Sequence, residues 1–485
     1  MTRLATTFPL ALPHRPRNVP AYRWLYRSLR DEILEGRLRP GARLPGTRDL
    51  AAQYGLARGT IVNAFEQLQA EGYLEGSVGS GTYVSAVLPD DLLQAPRAQP
   101  AGEIHARRRV SGYARRVQAS SQFDGRRPRA FRTDLPALDL FPADLWARVG
   151  SKRLRRLPAK LLHGTDPAGF PPLRAAISDY LTAARGVRCS AEQIVILSGV
   201  QDALDLVARI TLDRGDRVCI ENPGYQGAAA IFEAAGARVV PVALDEQGMR
   251  VPRERSARLV YVTPAHQFPL GMTMSIARRL ELLQWARTHR TLIFEDDYDS
   301  EYRYAGRPVP ALQGLDTAGQ VLFFGSFSKV LFPSLRIGYL VLPEDLVDLF
   351  ASAMSLTRRH APLLDQAVLC DFIVEGHFGR HLRRMRQIYA ERLAVLTGSA
   401  RDHLEGMLEV VPIEAGLQTT GWLADGFDEI RVARKAAERG VDVTPLSLHC
   451  RRALRRSGLQ LGFAAIDAAE IRRGVRELAA AMRDR

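Results

Sequence analysis

The chain has 485 residues, 46% of them hydrophobic, which is enough for two or three domains with sizeable cores. Its four cysteines, Cys189, Cys219, Cys370 and Cys450, are scattered with no CxxC pair, so neither a zinc site nor a disulfide framework is indicated and a reducing, cytoplasmic setting fits best. The longest uncharged apolar runs, such as YLVL at 339–342, fall far short of the roughly 18 residues a membrane span needs.

The formal charge of +14 is unevenly spread. Residues 1–132 hold 21 Lys+Arg against 11 Asp+Glu, whereas the remaining 353 residues hold 46 against 42. A basic front is the electrostatic footprint of a module that meets a polyanion such as DNA; arginine-rich usage throughout the chain is the alternative.

Residues 1–19, MTRLATTFPLALPHRPRNV, make a poor signal peptide and read as a flexible leader. From residue 20, Trp24, Leu25, Leu29, Ile33 and Leu34 recur at helical spacing, and Gly36 with RPG at 39–41 ends that helix. Thr47 is expected to cap a second helix, RDLAAQY, with Gly55 turning the chain into a third, RGTIVNAFEQLQAEG, whose Ile61, Phe65 and Leu68 share one face. YLEGSVGSGTYVS then reads as a β-hairpin. Three helices and a hairpin over 20–86 describe a winged helix-turn-helix.

Between 87 and 132 periodicity disappears and ten arginines accumulate, as in a solvated linker, which serves as a tether or adds phosphate contacts. From 133 to 485 helical patterns alternate with short apolar runs at 193–199, 216–224, 237–244, 257–264, 291–297, 320–326 and 337–343. That alternation predicts an α/β fold with a mostly parallel sheet covered on both faces, and a smaller α/β subdomain over the last hundred residues.

Polar residues fall where these strands end, which is where ligands bind in such sheets. Gly199, Val200 and Gln201 open a helix after the first strand, an arrangement suited to a phosphate. Tyr225 follows the second; His266 and Gln267 follow LVYVTP; Asp296 and Tyr298 close TLIFEDDY; Ser326, Ser328 and Lys329 follow QVLFF. Lys329 is one of only four lysines against 63 arginines.

Pyridoxal 5′-phosphate explains a lysine at that point. Its aldehyde needs an amine to form a Schiff base, and a guanidinium stays protonated and poorly nucleophilic. The ring nitrogen needs a carboxylate, the phenolic oxygen a donor, the ring a flat partner, and the phosphate hydroxyls with an arginine fork. Lys329, Asp296, Tyr298, Tyr225, Ser326, Ser328 and Arg336 supply that set.

Residues 20–86, with LPGTRDLAAQYGLARGTIVNAFEQLQAEGYLEGSVGSGTYV, resemble the winged helix-turn-helix of GntR regulators. Residues 133–485, with TPAHQFPLGMTMSIARR, FEDDYDSEYRY and GSFSKVLFPSLRIGYLV, resemble a fold-type I aminotransferase domain. The combination is similar to the MocR/GabR subfamily, in which the aminotransferase-like body senses a ligand and the head binds DNA.

The resemblance implies that Lys329 bears the cofactor, Asp296 meets the ring nitrogen, Tyr298 meets the phenolic oxygen, Tyr225 stacks on the ring, and Ser326, Ser328 and Arg336 hold the phosphate. His266 and Gln267 match the family motif. In the head it points to Arg48, Arg58 and Thr60 as DNA contacts, with Gly79 at the wing, and the neighbouring Arg43 as a phosphate contact. It also implies a homodimer that reads two half-sites of double-stranded DNA.

Departures from the family pattern are informative. Gly46 and Thr47 stand where the family usually has two serines, Ala57 stands where a serine or threonine often precedes the arginine, and Gln460 stands where amino-acid-binding relatives commonly place an arginine. Gln418 likewise replaces a frequent histidine. A standard α-amino acid is therefore disfavoured as effector, unless Arg451, Arg452, Arg455 or Arg456 substitutes. The expected protein is a regulator that senses pyridoxal phosphate or an amine or amino-acid ligand, with a catalytically active aminotransferase carrying an accessory DNA-binding head as the alternative.

Overall fold

The computed structural model describes residues 12–16, 18–77, 81–88, 109–117, 128–156, 158–304 and 309–484. The chain divides into two units, Met1–Arg109 and Val110–Arg485.

In the first unit, α1 (Ala21–Leu34), α2 (Thr47–Tyr54) and α3 (Arg58–Ala70) precede a hairpin of β2 (Leu74–Ser77) and β3 (Gly81–Val84). Leu25, Leu29 and Ile33 of α1 meet Ile61, Ala64, Phe65 and Leu68 of α3 in one buried cluster. These are the i, i+3, i+4 and i+7 positions that put apolar side chains on one face. A short strand β1 (Arg43–Leu44) pairs with β3, adding a third strand to the wing. It is too short to be recognised by periodicity.

Gly55 turns the chain between α2 and α3 in the left-handed conformation at φ 63°, which glycine adopts without strain. The expected cap on α2 is not formed. Gly46 occupies the N-cap and Thr47 is already the first helical residue, so no side chain bonds the free N–H groups there; α3 likewise starts uncapped after Ala57.

The second unit is built on an eight-stranded sheet of β4 (Ile194–Leu197), β5 (Arg217–Asn222), β6 (Arg238–Asp245), β7 (Gly248–Met249), β8 (Ala257–Val262), β9 (Leu292–Asp297), β10 (Val321–Ser326) and β11 (Gly338–Val341). The order is β4-β11-β10-β9-β8-β5-β6-β7, parallel from β10 through β6, with β11 antiparallel to both its neighbours. Every residue of VLFFGS in β10 is buried, because helices cover both faces.

Alternation sorts the strand side chains between those faces. Val218, Leu259, Leu322 and Phe324 pack with the helix Val200–Thr211, whereas Cys219, Val260, Ile293 and Val321 pack with the helix Ile276–His289. A one-residue slip in any of these strands would exchange the two sets, so the register is firmly set.

A second sheet, in the order β12 (Leu408–Val410), β13 (Gln418–Leu423), β15 (Gly458–Gly462), β14 (Thr444–Pro445), forms the C-terminal subdomain with the helices His377–Leu404 and Ala468–Arg483. The segment entering the body is stitched to this sheet: Phe131 bridges Gly462 and Ala130 bridges Val441. Gly462 permits that approach, since a Cβ there would lie 2.1 Å from the Arg132 carbonyl oxygen.

The expected linker is not uniformly solvated. The short helix Gly112–Arg116 docks on the body, with Arg116 Nε donating to the carbonyls of Glu233 (3.2 Å) and Ala234 (3.0 Å) at the end of the helix Gln226–Ala235. An arginine satisfying the free carbonyls of a helix end is favoured by the helix dipole, and it leaves no periodicity in sequence.

Candidate functional site

The carboxyl ends of β4, β5, β8, β9 and β10 open onto one cleft of about 310 Å³. Gly199, Val200, Gln201, Tyr225, Asp296, Tyr298, Ser326, Ser328, Lys329 and Arg336 all line it, joined by Asp134, Tyr261, Thr263 and Phe268. Parallel strands bring their ends together, which is why residues 130 positions apart in the chain meet here.

At one end of the cleft is an anion cradle. The helix Val200–Thr211 starts at Gly199, whose φ of 126° is accessible to glycine alone, and no side chain caps it. A Cβ on Gly199 would lie 2.9 Å from Nη2 of Arg336, so the guanidinium sits directly against this helix start. Arg336 makes no ion pair among the described residues. Ser328 donates its backbone N–H to Ser326 Oγ (3.1 Å), while its own hydroxyl is buried without a hydrogen-bond partner.

At the other end, Asp296 is buried, accepts a 2.6 Å hydrogen bond from Tyr261 through Oδ2, and leaves Oδ1 unpartnered. Burial, reinforced by the neighbouring Asp297 and Asp299, pushes its carboxyl up to about 7 against the opposing Tyr261 hydrogen bond and Lys329. Gln201 Nε2 donates to Tyr225 Oη (2.6 Å), tying the helix start to that ring, and burial drives the Tyr225 phenol upward. Tyr298 Oη lies 3.0 Å from His266 Nδ1.

Lys329 projects between these ends. Its ammonium donates to both the carboxylate Oδ1 and the backbone carbonyl of Asp134, each at 2.9 Å. Asp134 itself is held in the left-handed region, φ 67°, with its N–H donating to Gln418 Oε1 at 3.1 Å. Sequence reasoning missed Asp134, which lies 195 residues from Lys329. Its only local signal is an aspartate before Leu-Pro, a residue type that tolerates left-handed turns.

His266 and Gln267 do not line the cleft. His266 Nδ1 contacts Asp299 Oδ1 at 2.9 Å, and a Cβ on Gly416 would fall 2.0 Å from its ring, so the imidazole is clamped behind Tyr298. Gln267 turns its amide to the Pro223 carbonyl (3.0 Å), the Phe268 carbonyl and Glu221, bracing the loops after β5 and β8. The motif position marks a structural brace here.

The buried unpartnered atoms fit pyridoxal phosphate. Asp296 Oδ1 is free for a ring nitrogen, Ser328 Oγ and the Arg336 fork are free for a phosphate, and Lys329 offers the amine. The arginines that were candidates to replace a carboxylate fork are engaged or exposed elsewhere. Arg451 is bidentate to Glu233 (2.6 and 2.7 Å), Arg456 pairs with Glu409 (2.8 Å) beside the Trp422 ring, and Arg452 and Arg455 are exposed.

In the first unit Arg43, Arg48 and Arg58 are exposed, and none is in an ion pair with another described residue. Arg58 is the first residue of α3 and Thr60 lies in its first turn, half-buried. Gly79 lies outside the described residues. No helix among the described residues is long and apolar enough to cross a membrane.

Residues 151–478 match the aminotransferase class I and II family, and residues 21–84 match the gntR family of bacterial regulatory proteins. The chain is 42% identical to the probable rhizopine catabolism regulatory protein MocR of Rhizobium meliloti, over 96% of this chain and 94% of the relative. It is 31% identical to the pyridoxine biosynthesis transcriptional regulator PdxR of Corynebacterium glutamicum, over 95% of both. Among solved structures, an α-aminoadipate aminotransferase of Thermus thermophilus complexed with N-(5′-phosphopyridoxyl)-L-leucine superposes with a TM-score of 0.69 at 28% identity, covering 77% of this chain and 97% of that one.

Proposed function

This chain belongs to the MocR-type regulators of the gntR family, with a class I and II aminotransferase body, and from that membership we propose that it is a cytoplasmic transcription regulator that carries pyridoxal phosphate on Lys329. We read residues 20–86 as its DNA-binding domain, 87–132 as the connection and 133–485 as the effector domain. The observation that carries the reading is that one cleft holds a lysine amine, an unpartnered buried carboxylate oxygen, an unpartnered serine hydroxyl and a guanidinium at a helix start.

When bound, pyridoxal phosphate supplies a reactive aldehyde carbon and an electron-withdrawing ring. Lys329 provides the amine that holds it, after leaving its ion pair with Asp134. Asp296 keeps a proton at the ring nitrogen, and Tyr261 orients that carboxylate through its 2.6 Å hydrogen bond. Tyr298, whose hydroxyl lies 3.0 Å from His266 Nδ1, would meet the phenolic oxygen, and Tyr225, which lines the same cleft, would stack on the ring. Ser326, Ser328, Arg336 and the N–H groups at Gly199–Gln201 bind the phosphate.

In the head, Arg43, Arg48 and Arg58 offer charge to DNA phosphates. The uncapped starts of α2 and α3 offer backbone N–H groups to the same partners. Pyridoxal phosphate or an amine that favours one conformation changes the DNA affinity by that difference alone, so catalytic turnover is unnecessary. The protein acts as a homodimer, which presents two heads to two half-sites.

A steady-state assay with amino donors and an oxo-acid acceptor, run beside promoter binding, tests this reading. The expected result is negligible turnover with DNA binding that responds to cofactor and amines. Robust turnover with indifferent DNA binding would show a working aminotransferase instead.

A further inference from the structure

His266 stays out of the cleft, yet its ring touches a residue that lines it. The imidazole is 3% exposed and fits between two glycines, since a Cβ on Gly416 would lie 2.0 Å from its Cε1 and one on Gly271 would lie 3.3 Å from its Nε2. Its Nδ1 faces two groups at once: the Asp299 carboxylate, at 2.9 and 3.0 Å, and the Tyr298 hydroxyl, at 3.0 Å. Asp299 is 1% exposed and is fixed from the far side, where its Oδ2 accepts the backbone N–H of Leu417 at 3.2 Å.

These neighbours locate the imidazole proton. A carboxylate only accepts, so a bare Nδ1 at this distance would set lone pair against lone pair, whereas an Nδ1–H makes a charge-assisted hydrogen bond. The other ring nitrogen points the same way. Nε2 is buried with no hydrogen-bond partner among the described residues, and a buried N–H without an acceptor is the rarer defect.

The consequence falls on Tyr298. A hydroxyl has one hydrogen and two lone pairs. When Nδ1 donates, the phenol oxygen accepts on its buried side, and its hydrogen is left for the cleft that Tyr298 lines. The opposite tautomer would draw that hydrogen into Nδ1. The phenol also keeps its hydrogen, because burial, reinforced by Asp299, Asp134, Asp296 and Glu221, drives it well above its ordinary range.

We propose, on the reading that Lys329 carries pyridoxal phosphate, that Asp299 and His266 are positioning residues: Asp299 holds the proton on Nδ1, and Nδ1 turns the Tyr298 hydrogen toward the phenolic oxygen of the cofactor.

The test follows the pH at which the full-length protein, loaded with pyridoxal phosphate, loses its yellow colour. That midpoint reports loss of the proton shared by the phenolic oxygen and the Lys329 nitrogen. A hydrogen donated to the same oxygen favours the form that has lost the proton, so removing the donor raises the midpoint. Tyr298→Phe and Asp299→Asn are each expected to raise it by about one unit, the size of one hydrogen bond to a charged group. In Asp299→Asn the amide oxygen keeps the Leu417 N–H and the amide NH2 turns to Nδ1, which moves the imidazole proton to Nε2 and draws the Tyr298 hydrogen away from the cleft.

Loss of the Asp299 charge alone would lower the midpoint, and a purely structural role would leave it in place. An unchanged or lowered midpoint in cofactor-loaded Asp299→Asn therefore overturns the assignment, as does a further rise when Asp299→Asn is added to Tyr298→Phe. Should Asp299→Asn fail to fold, the nitrogen NMR spectrum of histidine-labelled wild type, read against His266→Gln, decides the matter: a protonated Nδ1 is expected, and a bare Nδ1 overturns it. Wild type that never takes up pyridoxal phosphate would overturn the reading of Lys329 itself, an outcome distinct from each of these.

Discussion

Lys329 Nζ and Asp134 form a two-pronged contact, 2.9 Å to the carboxylate and 2.9 Å to the backbone carbonyl of the same residue. The aspartate holds a left-handed conformation at φ 67° to do so, which for a residue with a Cβ stores about 1 kcal/mol or more. The contact has to open before the amine can react. Asp134→Asn, which tolerates the same backbone, should therefore take up pyridoxal phosphate faster than wild type, as followed by growth of visible absorbance. Lys329→Arg keeps a cation for Asp134 but should stay colourless.

Gly199→Ala tests the anion cradle. The new Cβ meets the Arg336 guanidinium at 2.9 Å, and its φ of 126° strains any other residue by about 1–3 kcal/mol. The variant should lose about tenfold or more in affinity for pyridoxal phosphate. Its affinity for pyridoxal, which has no phosphate, should change much less. Equal losses for both would show that the cradle does not hold the phosphate.

Four buried carboxyls, Glu221, Glu295, Asp296 and Glu301, are each raised to about 7, mainly by burial. A carboxyl raised in the folded state adds stability that is fully present below its ordinary range and is lost as pH rises through about 7. The urea midpoint of cofactor-free protein should thus fall as pH rises from the ordinary carboxylate range through 7. Asp296→Asn should flatten part of that fall, and the cofactor, through its ring nitrogen, should flatten the same part in wild type.

In the head, Arg48→Ala and Arg58→Ala should each weaken DNA binding across sequences and lower the slope of log affinity against log salt by about 1. Cofactor uptake should be untouched. A variant with an unchanged slope would remove that arginine from the phosphate contacts.

Much of this was legible in the residues. Buried strands announce themselves as apolar runs, so VILSG, LIFEDD and VLFFGS located their polar carboxyl ends, and the rarity of lysine singled out Lys329. The head's core followed from the spacing of Ile61, Phe65 and Leu68. What escaped was set by distant contacts. Asp134 acquires its meaning only when the segment 130–134 lies over the glycine of β15, and Gln267 turns inward because Glu221 and the Pro223 carbonyl need a donor. Thr47 looked like a cap because its chemistry suits one, yet the helix begins one residue earlier than that role requires.

The charge pattern also changes meaning. Residues 20–86 hold eight arginines against seven acidic residues, so the basic surplus of the front lies in residues 1–19 and 87–132. Any DNA affinity of the head rests on where Arg43, Arg48 and Arg58 are placed, with no large net charge behind them.

If the state of Lys329 governs DNA binding, it will show in the affinity of the full-length protein for the DNA upstream of its own gene, measured with and without pyridoxal phosphate in wild type and Lys329→Arg. The affinity should shift with cofactor in wild type and stay constant in the variant. Equal affinities in all four conditions, with the wild type visibly loaded, would contradict it.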